Sequence, residues 1–444
     1  MNRSNKTFFI LFLALIIHVF LLACNQNKNQ IKKPNVIIFF TDDQGYADLG
    51  CYGAKGFETP NFDKLAENGI RFTDFYVPAT VCTPSRAGLL TGRYPKRASL
   101  HEAVIYPFSE NGLSQKEFTM AEMFKTVGYS TACIGKWHLG HKKEFMPNNH
   151  GFDYYFGVPY SNDMDGYFYK HNNFQSPPLP VYRNQEIIDE GPPQQYLTKL
   201  FTEEAINFIQ KEKGNPFFLY LPHCMPHTPL HVSENFKGKS KLGIYGDVIM
   251  ELDWSMGEII NVLKQEGVYE NTLIVFTSDN GPQIGSANPL RGKKATTWEG
   301  GQRVPAIISW PNVIPVNSTC SEVITSMDLF PTLQQIVKAE APEGLEFDGR
   351  DISELLANPE LKTVPEQPFF YYSRNGNCEA VRSGKWKLHI GKSRGWNSEE
   401  TFPVSLYNLE TDISEKNNLA EDYPEMVDKL KLLILEFDKS LNKN

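Results

Sequence analysis

Two segments of this chain share a pattern that leaves few folds open: an apolar, β-rich run that stops abruptly at acidic and amide side chains. Residues 36–40 (VIIFF) run into Thr41, Asp42 and Asp43, and residues 273–276 (LIVF) run into Thr277, Ser278, Asp279 and Asn280. Runs without polar alternation suit strands buried on both faces, the condition of a parallel sheet covered by helices. Ligands of such sheets bind beyond the carboxyl ends of the strands, so the polar residues at those ends mark the first place to look for a site. Further strands are expected at residues 130–134 and 217–221, and a helix at 202–213, closed by Gly214. A second helix is expected at 245–266, where Val248, Ile249, Leu252, Met256, Ile259 and Leu263 share one face ahead of Gly267. Strand and helix alternating over roughly three hundred residues predict an α/β domain with a large mixed, mostly parallel sheet sandwiched by helices.

The tail is built differently. Strand-like runs at 369–372, 379–382, 386–390 and 405–408 are followed by a helical pattern at 424–441. That order predicts a smaller C-terminal α+β subdomain containing an antiparallel sheet. The boundary falls between 340 and 367, which assigns 34–345 to the catalytic domain and 346–444 to the subdomain. A net charge of -8 argues against nucleic acid as a partner. An anionic substrate then has to be held by locally placed cations rather than by an overall basic field.

At the start, Arg3 and Lys6 precede an apolar run at 8–22 that ends in Leu21, Leu22, Ala23 and Cys24. This is the layout of a secretory signal peptide, and its ending resembles a bacterial lipobox. Residues 1–24 then form the leader, Cys24 becomes the lipidated mature N-terminus, and 25–33 form a tether. The expectation is an exported protein, anchored by lipid on Cys24 to a bacterial membrane in the periplasm or at the cell surface. A plain signal peptide or a signal anchor is the other reading. Of the seven cysteines, setting Cys24 and Cys82 aside leaves Cys51, Cys133, Cys224, Cys320 and Cys378, an odd number that defines no complete disulfide framework. One or two bridges suit an oxidising compartment, and a buried free thiol suits Cys133 in its strand-like run.

Several local patterns carry chemistry. In the stretch from Cys82 to Gly92, Thr83 is a good N-cap, Pro84 a good first helical residue and Gly92 a good stop, so a short helix is expected just after Cys82. A helix N-terminus favours anions, and Arg86 lies one turn in. Asp42, Asp43, Asp279 and Asn280 would converge if their two strands lie side by side, making the hard oxygen cluster that Ca²⁺ or Mg²⁺ prefers. Capped strand-end turns are the alternative, but adjacent carboxylates repel unless neutralised. Lys136 and His138 follow directly on the strand at 130–134. His223, His227 and His231 recur at helical spacing, yet Pro222, Pro226 and Pro229 break any helix through them and make the segment a loop. Arg291, Lys293 and Lys294 lead into Trp298, Glu299 and Arg303.

The run Cys82, Thr83, Pro84, Ser85, Arg86 resembles the signature of the formylglycine-dependent (type I) sulfatases, in which Cys, any residue, Pro, Ser, Arg recurs. The likeness extends from about Asn35 to the tail and points to the arylsulfatase A and N-acetylgalactosamine-6-sulfatase type. It implies an alkaline-phosphatase-like fold and hydrolysis of sulfate monoesters, with sulfated sugars as the substrate class. It further implies that a maturation enzyme converts Cys82 to formylglycine, whose aldehyde hydrate supplies the attacking oxygen. Asp42, Asp43, Asp279 and Asn280 become calcium ligands, with magnesium the less favoured ion. Arg86, Lys136 and Lys294, the last in preference to Lys293, become the positive groups around the sulfate. His227 then protonates the departing alcohol and His138 removes a proton to expel sulfate. His223 becomes neighbouring structure, and His231 either lines the pocket or is exposed. The segments 154–182 and 374–378 are candidates for a sugar subsite. A phosphomonoester, phosphodiester or phosphonate hydrolase of the same fold, and a catalytically inactive glycan-binding lipoprotein, are the competing readings.

Overall fold

The computed structural model describes residues 33–166, 170–171, 174–360, 365–391 and 402–441. The leader, Cys24 and all of the tether but Lys33 lie outside the described residues. Ten strands form the main sheet: Asn35–Thr41 (β1), Ile70–Phe72 (β2), Ser130–Lys136 (β3), Tyr154–Val158 (β4), Pro180–Arg183 (β5), Glu186–Glu190 (β6), Phe217–Pro222 (β7), Thr272–Ser278 (β8), Ala306–Ser309 (β9) and Ser318–Cys320 (β10). Their order is β10-β2-β9-β8-β1-β7-β3-β4-β5-β6. The central run β8-β1-β7-β3-β4 is parallel throughout. Antiparallel pairings appear only toward the flanks, at β8-β9, β9-β2, β4-β5 and β5-β6.

Apolar runs without alternation are explained by the two cores they feed. Val36, Ile38 and Phe40 of β1 enter one core, and Ile37 and Phe39 enter the other. Helices Pro60–Glu67 (α1), Leu197–Glu212 (α4) and Ile244–Gln265 (α5) cover the second face, and Cys82–Thr91 (α2), Met120–Thr126 (α3) and Leu329–Val337 (α6) cover the first. Each such fully buried large apolar side chain contributes about 1.5–3 kcal/mol relative to exposure. Helix α4 starts five residues ahead of the sequence expectation because Leu197, Phe201, Ala205 and Ile209 continue one buried stripe at four-residue spacing.

Helix α2 also departs from expectation. It begins at Cys82 itself, with Val81 in extended conformation as its N-cap, and Gly92 ends it in left-handed conformation at φ 67°. Thr83 is therefore inside the first turn, and its hydroxyl serves tertiary partners instead of a cap. Thr83 Oγ1 donates to the His138 carbonyl at 2.8 Å and accepts the Ile105 amide at 3.0 Å. Those two bonds tie α2 to the loop after β3 and to the segment around Ile105.

Phe369–Tyr372 (β11), Cys378–Ser383 (β12), Trp386–His389 (β13) and Ser405–Asn408 (β14) form the small sheet in that order, antiparallel at every pairing. Pro424–Leu441 (α7) covers one face through Val427, Leu430 and Ile434, which meet Phe370, Val381, Leu388 and Leu406. The other face sets Phe369, Tyr371 and Ala380 against Tyr76 of the main body. Both sheets belong to one compact unit, Asn35–Asn444. The six described cysteines are free thiols.

Candidate active site

Because β1 and β8 are neighbours with Thr41 opposite Ser278, the polar residues that follow each strand come out side by side. The Asp43 amide donates to Asp279 Oδ1 at 3.0 Å, and Asn280 Nδ2 donates to Asp43 Oδ1 at 2.7 Å. Asp43 sits at φ 65°, a left-handed conformation that Asp tolerates better than most residues and that turns its carboxylate back over the sheet edge. Asp42, Asp43, Asp279 and Asn280 are all at most 1% exposed. The structure thus gathers the four residues that the strand ends singled out.

Cations interleave this cluster. Lys136, at the end of β3, places Nζ 2.5 Å from Asp42 Oδ2, and Lys294 places Nζ 2.8 Å from Asp43 Oδ2. Lys293 is exposed. Arg86 donates from Nη2 and Nε to Asp279 Oδ2 at 2.8 and 3.2 Å and from Nη1 to the Lys136 carbonyl at 2.9 Å. Its guanidinium is therefore spent on holding Asp279 and the end of β3. Burial opposes charge on Lys136 and Lys294, but Asp42 and Asp43 outweigh it and hold both proton affinities above that of ordinary lysine. Burial also opposes charge on Asp42, yet Lys136, His227, Arg86 and Lys294 keep its carboxyl well below the usual range. For Asp279 the balance tips the other way, because burial and the nearby Asp42 carboxylate push it up despite Arg86.

Cys82 lies at the start of α2 with Sγ 3.5 Å from Asp42 Oδ1. Burial pushes its thiol well above the ordinary value, and the attraction of Lys136 and Lys294 does not make up the difference. The unmodified side chain is a neutral thiol and a poor nucleophile.

Both histidines after these strands reach the same place. His138, at φ 58°, directs Nε2 to the Ile105 carbonyl at 2.9 Å, while its buried Nδ1 has no hydrogen-bond partner among the described residues. Burial, with Lys136 and Arg86, keeps its imidazole neutral, so the proton on Nε2 leaves Nδ1 as a bare acceptor. His227 has the opposite arrangement: Nδ1 contacts the Thr228 carbonyl at 2.5 Å and Nε2 stands 3.6 Å from Asp43 Oδ2. His223 packs between Phe39 and Phe201, with Nε2 3.3 Å from Ser255 Oγ, and burial lowers its pKa to about 3. It is core structure. His231 is half-buried, and Asp165 opposes the lowering that burial imposes on it.

A cavity of about 330 Å³ opens over Cys82, His138, His227 and Lys294. Its wall adds Tyr106 and Gln283, which nothing in the sequence singled out; both come from loops without periodicity, so no local signal could have named them. Ser161 and Asp163 do fall within the 154–182 segment considered for a sugar subsite, but Tyr154 turns away to Glu204 and Arg183. The 374–378 segment meets the loop that precedes the wall residue Val104, where the Ala103 amide donates to the Arg374 carbonyl at 2.8 Å.

The cluster suits a divalent cation on its donor chemistry. Three carboxylates converge in a buried space, Asn280 Oδ1 is buried without a hydrogen-bond partner among the described residues, and Asp42 and Asp279 each come within 4.8 Å of Cys82 Sγ. Hard oxygen donors of this kind select Ca²⁺ or Mg²⁺ over softer metals.

Comparisons with known proteins agree with this geometry. Residues 34–339 match the sulfatase family model, and residues 364–444 match that of the C-terminal region of aryl-sulfatase. The chain is 36% identical to arylsulfatase A of Homo sapiens over 458 residues, covering 94% of this chain and 90% of that protein. It is 37% identical to N-acetylgalactosamine-6-sulfatase of Sus scrofa over 382 residues, covering 80% of this chain and 72% of that protein. Among solved structures, Ps i-CgsB in complex with k-i-k-neocarrahexaose superposes with a TM-score of 0.80 at 31% identity, covering 93% and 94% of the two chains. With the family model spanning most of the chain and its acid-and-lysine cluster gathered around Cys82, this protein belongs to the sulfatase family, the sulfuric ester hydrolases.

Proposed function

We propose that this sulfatase removes sulfate from a sulfated carbohydrate, with formylglycine derived from Cys82 and with calcium as its divalent cation. The observation that carries the reading is the position of Cys82 at the head of a helix, on the floor of a cavity, between two buried ammonium groups. A carbohydrate substrate is supported by the oligosaccharide complex of Ps i-CgsB. Asp42, Asp43, Asp279 and Asn280 are the residues that would hold the cation, which supplies positive charge where a sulfuryl group is bound. The aldehyde at position 82, made by a maturation enzyme, supplies as its hydrate the oxygen that attacks sulfur.

The chain's own groups do the rest. Lys136 and Lys294 hold sulfuryl oxygens in a water-poor site where their charge acts at full strength. His227, whose Nε2 stands 3.6 Å from Asp43 Oδ2 in the cavity wall, carries the proton for the departing alcohol as an imidazolium, the form that the Asp43 carboxylate favours against burial and Lys294. His138, with Nδ1 as a bare acceptor, takes the proton whose removal lets sulfate leave.

Purified, modified protein offered a panel of sulfated mono- and oligosaccharides should release sulfate from at least one of them. It should act far more slowly on the phosphate ester of the same sugar, and preference for the phosphate would overturn the reading. The two histidines should separate by leaving group. His227→Ala is expected to lose about 10²–10⁴-fold on sugar sulfates, whose alkoxide leaves poorly, and much less on nitrophenyl sulfate. His138→Ala should release about one alcohol per enzyme in a burst and then stall, whichever leaving group is used. Exchanged behaviour of the two variants in steady-state and burst kinetics would reverse the assignment.

Export and anchoring through Cys24 are part of the same proposal, supported by the leader at residues 1–24. Cells fed labelled fatty acid should incorporate label into the wild-type protein and not into Cys24→Ala. Recovery of an unlabelled, released wild-type protein would refute the anchor.

A further inference from the structure

The loop that delivers Lys294 is not held by the large sheet alone. Lys294 and Ala295 are tied to the main body by hydrogen bonds that their backbone amides donate to the Pro282 and Thr80 carbonyls, at 3.0 and 2.9 Å. From Thr297 onward the loop is gripped by the small sheet. Thr297 Oγ1 meets Glu379 Oε2 and His389 Nε2, both at 3.1 Å. The Trp298 ring stacks on His389 with centroids 4.3 Å apart, and the Arg291 guanidinium lies over the same Trp298 ring, 3.6 Å from its centroid. Arg291 Nη1 also donates to the Glu415 carbonyl at 2.8 Å.

Glu299 is the deepest of these attachments. Its Oε1 accepts from Lys387 Nζ at 2.9 Å and from Tyr371 Oη at 2.6 Å, and its Oε2 accepts from Tyr76 Oη at 2.5 Å. Lys387 Nζ is also 2.8 Å from Glu415 Oε1, and Glu415 Oε2 accepts the Glu299 amide at 2.8 Å. Glu299, Lys387 and Glu415 are all wholly buried. A single ammonium group on β13 thus joins two buried carboxylates, one of which opens the short helix Glu299–Gln302 five residues after Lys294. Buried ion clusters contribute little net stability over apolar packing, but they specify one geometry because every alternative strands a charge.

We propose that Lys387 is a positioning residue for catalysis: through Glu299 it makes the small antiparallel sheet hold the loop that keeps Lys294 at the sulfate site. The inference rests on the assignment of Lys294 to the sulfate given above. A shift of about 1 Å in such a group is enough to cost on the order of 10²-fold in rate.

A double-mutant cycle distinguishes positioning from general support of the fold. Lys387→Met is expected to lower kcat/KM for a sulfate ester about 10–100-fold in the wild-type background. In the Lys294→Ala background the same change should alter kcat/KM by no more than about 2-fold, the scatter of independent sites. The same cycle, read by calorimetry as inorganic sulfate binding to the Cys82→Ala protein, should show the same non-additivity. Equal losses in both backgrounds, or no loss from Lys387→Met, would overturn the proposal while leaving the role of Lys294 standing. Full activity in Lys294→Ala would overturn both. If Lys387→Met does not yield folded protein, Lys387→Gln, which removes the charge but keeps a hydrogen-bond donor toward Glu299 and Glu415, takes its place in the cycle with the same criteria.

Discussion

Replacing Cys82 with Ala should lower turnover of any sulfate ester by about 10⁴-fold or more, the scale of losing a nucleophile, while leaving the fold and the bound cation in place. From the encoded cysteine only a sulfur atom is removed, whose polar contact among the described residues is the weak approach to Asp42 at 3.5 Å. The acidic cluster keeps Lys136, Arg86 and Lys294 as its partners, so neither unfolding midpoint nor metal content should change. Steady-state rates, thermal unfolding and elemental analysis check the three parts separately. Cys82→Ser should be equally inactive in a host whose maturation enzyme accepts only cysteine. Mass spectrometry of active wild-type protein should find the aldehyde at position 82. Substantial turnover by Cys82→Ala would remove the nucleophile from the assignment, because the high proton affinity of the unmodified thiol leaves it no role of its own.

Asp279→Ala is expected to do damage of two kinds at once. Asp279 offers an oxygen to the cation site, and it is also the partner of a wholly buried guanidinium. Truncation leaves Arg86 with the Lys136 carbonyl at 2.9 Å and Asp42 at 3.6 Å, which do not replace a two-point carboxylate contact. An uncompensated buried charge of this kind costs about 3–5 kcal/mol of stability. The variant should therefore lose its stoichiometric divalent cation, lose activity and unfold at lower denaturant concentration. Asp279→Asn keeps a carbonyl oxygen near Arg86, so it should recover part of the stability while still losing the ion. Elemental analysis paired with urea unfolding separates the two effects. Active wild-type enzyme without a stoichiometric divalent cation would contradict the site altogether.

Which residues reveal their place along the chain, and which do not, follows from the range of the forces involved. β1 and β8 were legible because a strand buried on both faces must be apolar without alternation, a condition visible in five consecutive residues of β1 and four of β8. Strand β11, strand β14 and helix α7 occupy the expected residues, because a short run of β-prone aromatic and apolar residues and a stripe of Val427, Leu430 and Ile434 are local patterns. The pairing of Cys82 with a helix start was legible for the same reason, through Pro84 and Gly92. Even there the cap was misassigned, since Thr83 found stronger partners in Ile105 and His138 than in its own first turn.

Sheet order decided the remainder. Asp43 and Asp279 are 236 residues apart and touch only because β1 and β8 are neighbours, which no window of sequence encodes. Lys293 and Lys294 are chemically alike. Only the path of the loop, turned at Ala295 with φ 67° and tied to Thr80, sends the second to Asp43 and the first to solvent. The hold of Lys387 on that loop is of the same kind, an ionic contact across 88 residues between the small sheet and the short helix that opens at Glu299. The sequence by itself determined the α/β class, the small antiparallel sheet, the elements and the chemistry available at the strand ends, because periodicity and residue type act locally. The tertiary structure alone decided which of those side chains meet, because contact between distant segments depends on strand order and loop path, which local propensities do not specify.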